Sequence, residues 1–458
     1  MNFHIVRVVP FESMHSVPII QVSEALAKKL KLPRDITLLE LQCSRNTISA
    51  PVVCIKGEDF TIRLDPSILH SLLLFEEEKN YLISFDHANQ KLVIGPVIGL
   101  LTEITLKEEG IDLKSIHEYC QELANYSDEI GAIFYVFSIP DQWAAPSIEG
   151  YFYENDSWKR YTLPFPQVIH NRLHKRTNER RQMFQDFTQA LQEWKIPYFN
   201  DHFLDKWTVY KQLQEAEHLQ PFLPETALYS KESLMSWLDK YSTIFIKPIN
   251  GSQGKQIFKV CKMPDGFALS YSSIQQEVSS TYSTFAELYK RLSSHIKKKH
   301  YIIQQGLDLL DLDGRPVDFR YLCHRGENHR WRVTSSVARA SKAGYFVSNL
   351  AQGGEMLTVS KALRTRYERE ELLHLRQHLK EIALEVADVV GMVSEGIYGE
   401  LGIDLAIDHT GRPWIIEVNT KPSKNLDSTP SSPTVRPSAK AIILYCLYLI
   451  DETIKEAK

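Results

Sequence analysis

The chain has 458 residues, with 53 Lys and Arg against 57 Asp and Glu, for a formal net charge of −4. That near-balance excludes a dedicated nucleic-acid binder, which carries a strongly basic face, and 43% hydrophobic with 24% charged residues excludes intrinsic disorder for the chain as a whole. The length suggests two to four domains, with ample material for a buried core.

Residues 1–105 alternate short apolar stretches with turn signals. Pro51–Ile55, Asp59–Leu64, Asn80–Phe85 and Lys91–Ile94 read as strands, and only Val22–Leu32 has helical spacing, so a small β-rich domain is expected. Met1–Ile20 has no basic flank followed by an apolar core and a small-residue cleavage site, which points to a cytoplasmic location. Over 106–199 a helix near Leu113–Ala124, the apolar strand Ala132–Phe137 and a basic helix around Arg172–Glu193 make an α/β unit. Its basic residues (Arg172, Lys175, Arg176, Arg180, Arg181) suit either an acidic ligand or a solvated helix face.

From Asn200 to the end at 458 the spacing predicts one further domain. A helix carrying Lys206 leads to the strand Ile244–Lys247, a Gly-containing turn, the strand Gln256–Cys261 and, after the lysine run 297–299, the strand Tyr301–Gln305. In the long helix Arg366–Val390, Leu372, Leu375, Leu379, Ile382, Val386 and Val389 form a core stripe. The longest apolar run, Ala441–Ile450, is about half of what a bilayer span requires and reads as a buried terminal helix. Six scattered cysteines with no C-x-x-C pair give neither a zinc site nor a disulfide framework, and reduced structural thiols are expected.

The chemistry concentrates in three places. The first is a hairpin, Leu401–Ile407 and Trp414–Asn419, around the turn signal Thr410-Gly411. Pairing Asp408 with Pro413 places Asp404 opposite Glu417. Period-2 alternation then sends Leu401, Ile403, Leu405 and Ile407 to one face with Trp414, Ile416 and Val418, and gathers Asp404, Glu417 and Asn419 on the other. Opposed like charges destabilise a sheet unless something compensates, and a hard cation such as Mg2+ would do so. A solvent-facing polar edge in another register is the alternative.

The second is IFIKPINGSQGKQIFKV (244–260), where Gly251 and Gly254 bracket Ser252 and Gln253 after Lys247. Glycine-flanked backbone can aim N–H donors at phosphate. Gln256 and a strand follow, so this is not a Walker A loop, and a plain hairpin reads equally well. The third is RPVDFRYL (315–322) with Asp318 and Arg320 on one strand face, together with Arg339, Asn349 and Gly353-Gly354. Arginines there suit charge developing on a phosphoryl group, or surface ion pairs.

Taken in order, these motifs resemble the ATP-grasp superfamily, and more narrowly the YheC/YheD family of endospore-coat-associated ATP-grasp proteins, most strongly over 200–425. The resemblance implies an α+β fold, two lobes holding ATP between them, preceded by the β-rich domain and an α/β pre-ATP-grasp unit. It implies ATP contacts from Lys206, Lys247, the lid Gly251, Ser252, Gln253 and Gly254, and the adenine-edge segment Gln304, Gln305, Gly306 and Leu307. Asp404, Glu417 and Asn419 match Mg2+ ligands for two ions, with Mn2+ an alternative. Arg339 matches an arginine beside the transferred phosphate, with Lys247 and Arg320 sharing that catalytic role. Asp318, Arg320, Asn349 and Lys424 fall on the substrate side. Gln304-Gln305 stands where many relatives carry an acid, leaving Asp308 and Asp311 as substitutes for the ribose contact.

The activity so implied is an ATP- and Mg2+-dependent carboxylate–amine (or thiol) ligase that works through an acyl phosphate and releases ADP and phosphate, in sporulation or spore coat formation. The alternative is an ATP-binding assembly protein of the spore coat with little or no catalysis. The partners implied are a small-molecule or peptide carboxylate, an amine or thiol acceptor and spore coat proteins, without nucleic acid or membrane.

Overall fold

The computed structural model describes residues 3–13, 17–108, 110–143, 146–251, 256–272, 277–296, 300–342, 354–424 and 435–456. The chain divides into two compact units. One comprises Met1–His202, Gly326–Asn328 and Ser423–Lys458, the other Phe203–Arg325 and His329–Pro422.

In the first unit, seven strands between His4–Pro10 and Lys91–Ile94 close into a barrel, which is the expected β-rich region. A six-stranded sheet follows, in which Val97–Leu101 lies between Ile133–Phe137 and Val168–Asn171, parallel to both. Val97–Leu101 and Ile133–Phe137 are buried at every position, the continuous apolar pattern of a parallel sheet covered on both faces. The helix His117–Ile130 makes the crossover between these two strands, and the C-terminal helix Pro437–Glu456 packs against it.

This arrangement differs from the expected division in two ways. Val97–Leu101, assigned to 1–105, is a central strand of the α/β sheet, and the terminal helix, assigned to 200–458, belongs with the first unit. One hydrophobic core runs through barrel and sheet, from Val6 to Leu191. Apolar periodicity therefore could not mark a boundary between them. The basic stretch is two helices, Arg176–Glu179 and Gln182–Glu193, and Arg172 is buried.

The second unit has two α+β lobes. In the first, an antiparallel sheet runs in the order Thr226–Leu228, Tyr301–Gln305, Thr243–Pro248, Phe258–Met263, Gly266–Ser272 and Glu277–Tyr282. The helices Lys231–Lys240 and Phe285–His295 bury Leu234, Leu238, Leu288 and Leu292 against it, each started by a capping box. In the second lobe the order is Glu355–Leu357, Trp331–Ala340, Arg315–Arg325, Glu400–Ile407 and Pro413–Asn419. The helix Arg369–Val393 covers one face with Leu372, Leu379, Ile382, Val386 and Val390. Phe319, Tyr321 and Cys323 meet Leu401, Ile403 and Leu405 on that covered face, so Asp318, Arg320 and Asp404 stand on the opposite one.

All six cysteines are free thiols, four of them buried. Among the described residues no helix is long and apolar enough to cross a membrane.

Candidate functional site

The hairpin places Asp404 directly opposite Glu417, as period-2 reasoning expects, but by a different route. Ile407, not Asp408, pairs with Pro413, and a β-bulge between Asp404 and Leu405 restores the register by one residue. The bulge also reverses part of the expected facing. Ile415 enters the core beside Leu405 and Ile407, whereas Trp414 donates from Nε1 to Asp408 Oδ2 at 2.8 Å, and Ile416 lines a cleft. Asp408 Oδ1 accepts from Thr410 N at 2.9 Å and Arg412 N at 3.1 Å, while Gly411 takes φ +89°. The turn is thus closed by an Asp side chain and a glycine in the left-handed region.

Asp404 is the centre of a buried charge lattice. Arg320 grips it with two donors, Nε to Oδ1 and Nη2 to Oδ2, the latter at 2.7 Å. Arg339 Nη2 lies 3.1 Å from Oδ2 and its Nε donates to Asp318 Oδ1 at 2.5 Å. Arg320, Arg339 and Asp404 side chains are each no more than 10% exposed. Burial alone would raise the Asp404 pKa, but Arg320 and then Arg339 outweigh it and hold the carboxyl below its ordinary value. At Asp318 burial wins against Arg339, and the pKa rises to about 6. Asn419 completes the group, donating from Nδ2 to Asp404 Oδ2 at 3.4 Å.

A second group borders the same hairpin. Asp205 caps the helix Lys206–Glu215 by accepting from Trp207 N and Thr208 N, which places Lys206 on its first turn. From there Lys206 Nζ donates to Glu417 Oε1 at 2.6 Å and to Gly251 O at 3.0 Å. A Cβ at Gly251 would collide with the Pro248 ring, so this approach needs glycine. Lys247 Nζ donates to Gln304 Oε1 at 2.5 Å. Burial lowers the Lys247 pKa to about 8, with Glu417 acting against that shift and Lys206 adding to it.

Lys206, Lys247, Thr226, Gln304 and Glu417 are the polar lining of a cleft. Its remainder is apolar and includes Val209, Tyr210, Leu213, Leu223, Ile302 and Ile416. Motif reasoning missed these residues. The signal was present for three of them, because Val209, Tyr210 and Leu213 lie three, four and seven residues after Lys206 and so share its helix face.

Four cations (Lys206, Lys247, Arg320, Arg339) stand against three carboxylates (Asp318, Asp404, Glu417), an excess of one positive charge. Among the described residues no three His, Cys, Asp or Glu side chains converge as a self-sufficient metal centre. Asp404, Glu417 and Asn419 carry the hard oxygen donors that suit Mg2+, an ion that takes its other ligands from phosphate and water, while here Asn419 turns its amide nitrogen toward Asp404.

Several expected residues stand elsewhere. Ser252, Gln253, Gly254 and Asn349 lie outside the described residues. The N–H groups of Gln305 and Gly306 donate within the lobe, to Glu225 O and Thr243 O at 2.9 Å each, and Leu307 follows at the strand's end. A Cβ at Gly306 would lie 2.5 Å from Thr243 O. Asp308 is 3.5 Å and Asp311 3.8 Å from His409 Nε2. Lys424 belongs to the first unit, is only 1% exposed, and stands over the Tyr119 ring at 4.5 Å.

Residues 195–449, more than half of the chain, match a family described as YheC/D like ATP-grasp. The endospore coat-associated protein YheD of Bacillus subtilis (strain 168) is 28% identical over 375 residues, covering 81% of this chain and 82% of that protein. The endospore coat-associated protein YheC of the same organism is 23% identical over 329 residues, covering 70% and 89%. Among solved structures, VanG D-Ala:D-Ser ligase from Enterococcus faecalis aligns at 13% identity and a TM-score of 0.47, over 77% of this chain and 99% of that one.

Proposed function

Because the chain belongs to the YheC/D-like ATP-grasp family, we propose that its α+β ATP-grasp unit is an ATP- and Mg2+-dependent ligase joining a carboxylate to an amine or thiol. The observation that carries this reading is the pair of charged groups on one hairpin: Lys206 on Glu417, with Lys247 lining the same largely apolar cleft, and Arg320 with Arg339 on Asp404.

In this reading the adenine occupies the apolar part of the cleft, against Val209, Tyr210 and Ile302, and the phosphates extend toward Lys206 and Lys247. Asp404, Glu417 and Asn419 would hold Mg2+. When bound, the metal supplies Lewis-acid neutralisation of phosphate charge. The substrate carboxylate attacks the γ-phosphorus, the bond to ADP breaks, and an acyl phosphate forms. The amine or thiol then attacks the acyl carbon and expels phosphate. Lys206, Lys247 and Arg339 orient and neutralise, so no side-chain nucleophile is required. Arg320 holds the Asp404 carboxylate in place with two parallel bonds, which a single lysine donor could not reproduce. Asp318 acts through Arg339, and Lys424, buried in the other unit, is left out of this mechanism.

The names of the curated relatives favour one rival, an ATP-dependent assembly protein of the spore coat with little turnover. An ADP-release screen with Mg-ATP across amino acids, peptides and coat or cell-wall precursors separates the two. Acceptor-dependent ADP supports the ligase, whereas ATP binding with no acceptor-dependent ADP supports the assembly protein.

A further inference from the structure

Three side chains from three neighbouring strands meet on one face of the first lobe of the second unit. Thr226 is the direct cross-strand partner of Gln304, and Lys247 lies on the strand beyond, diagonal to Gln304 through the Phe245↔Gln304 and Lys247↔Ile302 pairs. Thr226 Oγ1 donates to Pro224 O at 2.9 Å, Gln304 Nε2 donates to Thr226 Oγ1 at 2.9 Å, and Lys247 Nζ donates to Gln304 Oε1 at 2.5 Å.

The direction of this chain is determined from both ends. A carbonyl can only accept, so the one hydroxyl proton of Thr226 goes to Pro224 and its oxygen must accept from Gln304. That forces the Gln304 NH2 toward Thr226 and the amide oxygen toward Lys247, where an ammonium can only donate. Gln304 is 8% and Thr226 7% exposed, which leaves the amide little water with which to satisfy a flipped orientation.

The partner's chemistry also sets Lys247 apart from its neighbours. Lys206 is paired with Glu417, Arg320 with Asp404, and Arg339 with Asp318 and Asp404. Among the described residues no carboxylate lies within ion-pair distance of Lys247, whose acceptor is a neutral amide. Its charge is oriented without being cancelled.

We propose that Thr226 and Gln304 are positioning residues that aim the Lys247 ammonium at the nucleotide phosphates through a relay of fixed polarity. This rests on the reading of Lys247 as a phosphate contact. A neutral acceptor is required, because a carboxylate at 304 would turn Lys247 into one more internal ion pair.

The test is calorimetric titration of the full chain with β,γ-methylene-ATP and Mg2+. Thr226→Val should weaken binding roughly tenfold, the scale of one charge-assisted hydrogen bond, and Thr226→Ser should restore it. Gln304→Glu should also weaken it. In a Lys247→Ala background, Thr226→Val should change the Kd by less than about twofold, because a residue that acts through Lys247 has nothing left to act on. An equal loss from Thr226→Val in both backgrounds would overturn the relay. So would wild-type affinity in both Thr226→Val and Gln304→Glu while Lys247→Ala binds poorly, an outcome that spares the phosphate reading. Wild-type affinity in Lys247→Ala would overturn that reading and the relay with it. Thermal melting of each variant identifies losses that come from misfolding.

Discussion

Two sheets of this protein solve different problems with the same backbone geometry. In the first unit, Val97–Leu101 and Ile133–Phe137 run parallel and are buried on both faces, and no titratable side chain except Tyr135 stands on either strand. In the second unit, Arg315–Arg325 and Glu400–Ile407 run antiparallel, with one face sealed by Arg369–Val393 and the other bearing Asp318, Arg320 and Asp404. An antiparallel sheet with one covered face can carry a charged site at every second residue. A parallel sheet covered on both sides has no such row to offer. Mutations should therefore separate along the same line, damaging stability in one sheet and nucleotide chemistry in the other.

The largest expected effect is on the charged face. Glu417→Gln should reduce ADP formation by about a thousandfold, about 4 kcal/mol of transition-state stabilisation, with little change in melting temperature. A coupled assay beside a melting curve checks both halves, and chelation of divalent cations should imitate the loss. In the parallel sheet, Leu100→Ala should lower stability by roughly 3 kcal/mol while leaving the Kd for an ATP analogue unchanged in the folded fraction. Urea unfolding and calorimetry measure the two quantities. If nucleotide affinity moved instead, the contrast between the sheets would fail.

Arg320→Lys tests the lattice more finely. Replacing a two-donor grip on Asp404 by one ammonium should cost about 1–2 kcal/mol of stability, visible as a lower urea midpoint. The smallest effect concerns pH. With its pKa lowered to about 8, Lys247 loses its proton as pH rises through that value, so ATP affinity should weaken above about pH 8. Phosphate favours the charged form. Binding near pH 8 to 9 should therefore take up protons, a quantity obtained from titrations in buffers of different ionisation enthalpy, and Lys247→Met should abolish the uptake.

Much of the site was legible from spacing. Period 2 puts Glu417 and Asn419 on one face, but Asp404 stands opposite Glu417 only because the bulge offsets the one-residue error in the expected turn pairing. The facing of Trp414, Ile415 and Ile416 was not legible, because a bulge adds one residue and leaves no compositional mark. The grouping of Asp318 with Arg320 was visible on one strand. Their division of labour, with Arg320 on Asp404 and Asp318 on Arg339, depends on the neighbouring strands. The surroundings of Lys424 were hidden for a related reason, since nothing in TKPSKNL reveals that Tyr119, some 300 residues earlier, lies beneath its ammonium.

By itself the sequence determined which residues share a strand face or a helix stripe, where turns fall and which motifs follow one another, because each depends on a few consecutive residues and a fixed period. The tertiary structure decided everything that requires two distant segments to meet. It placed Val97–Leu101 in the centre of the second sheet of the first unit and the C-terminal helix against that unit. It paired Lys206 with Glu417 across 211 residues and Arg320 with Asp404 across 84. It left Lys247 facing an amide rather than an acid. Pairing of this kind is set by the register between strands and by burial, and neither is encoded within any local stretch of the chain.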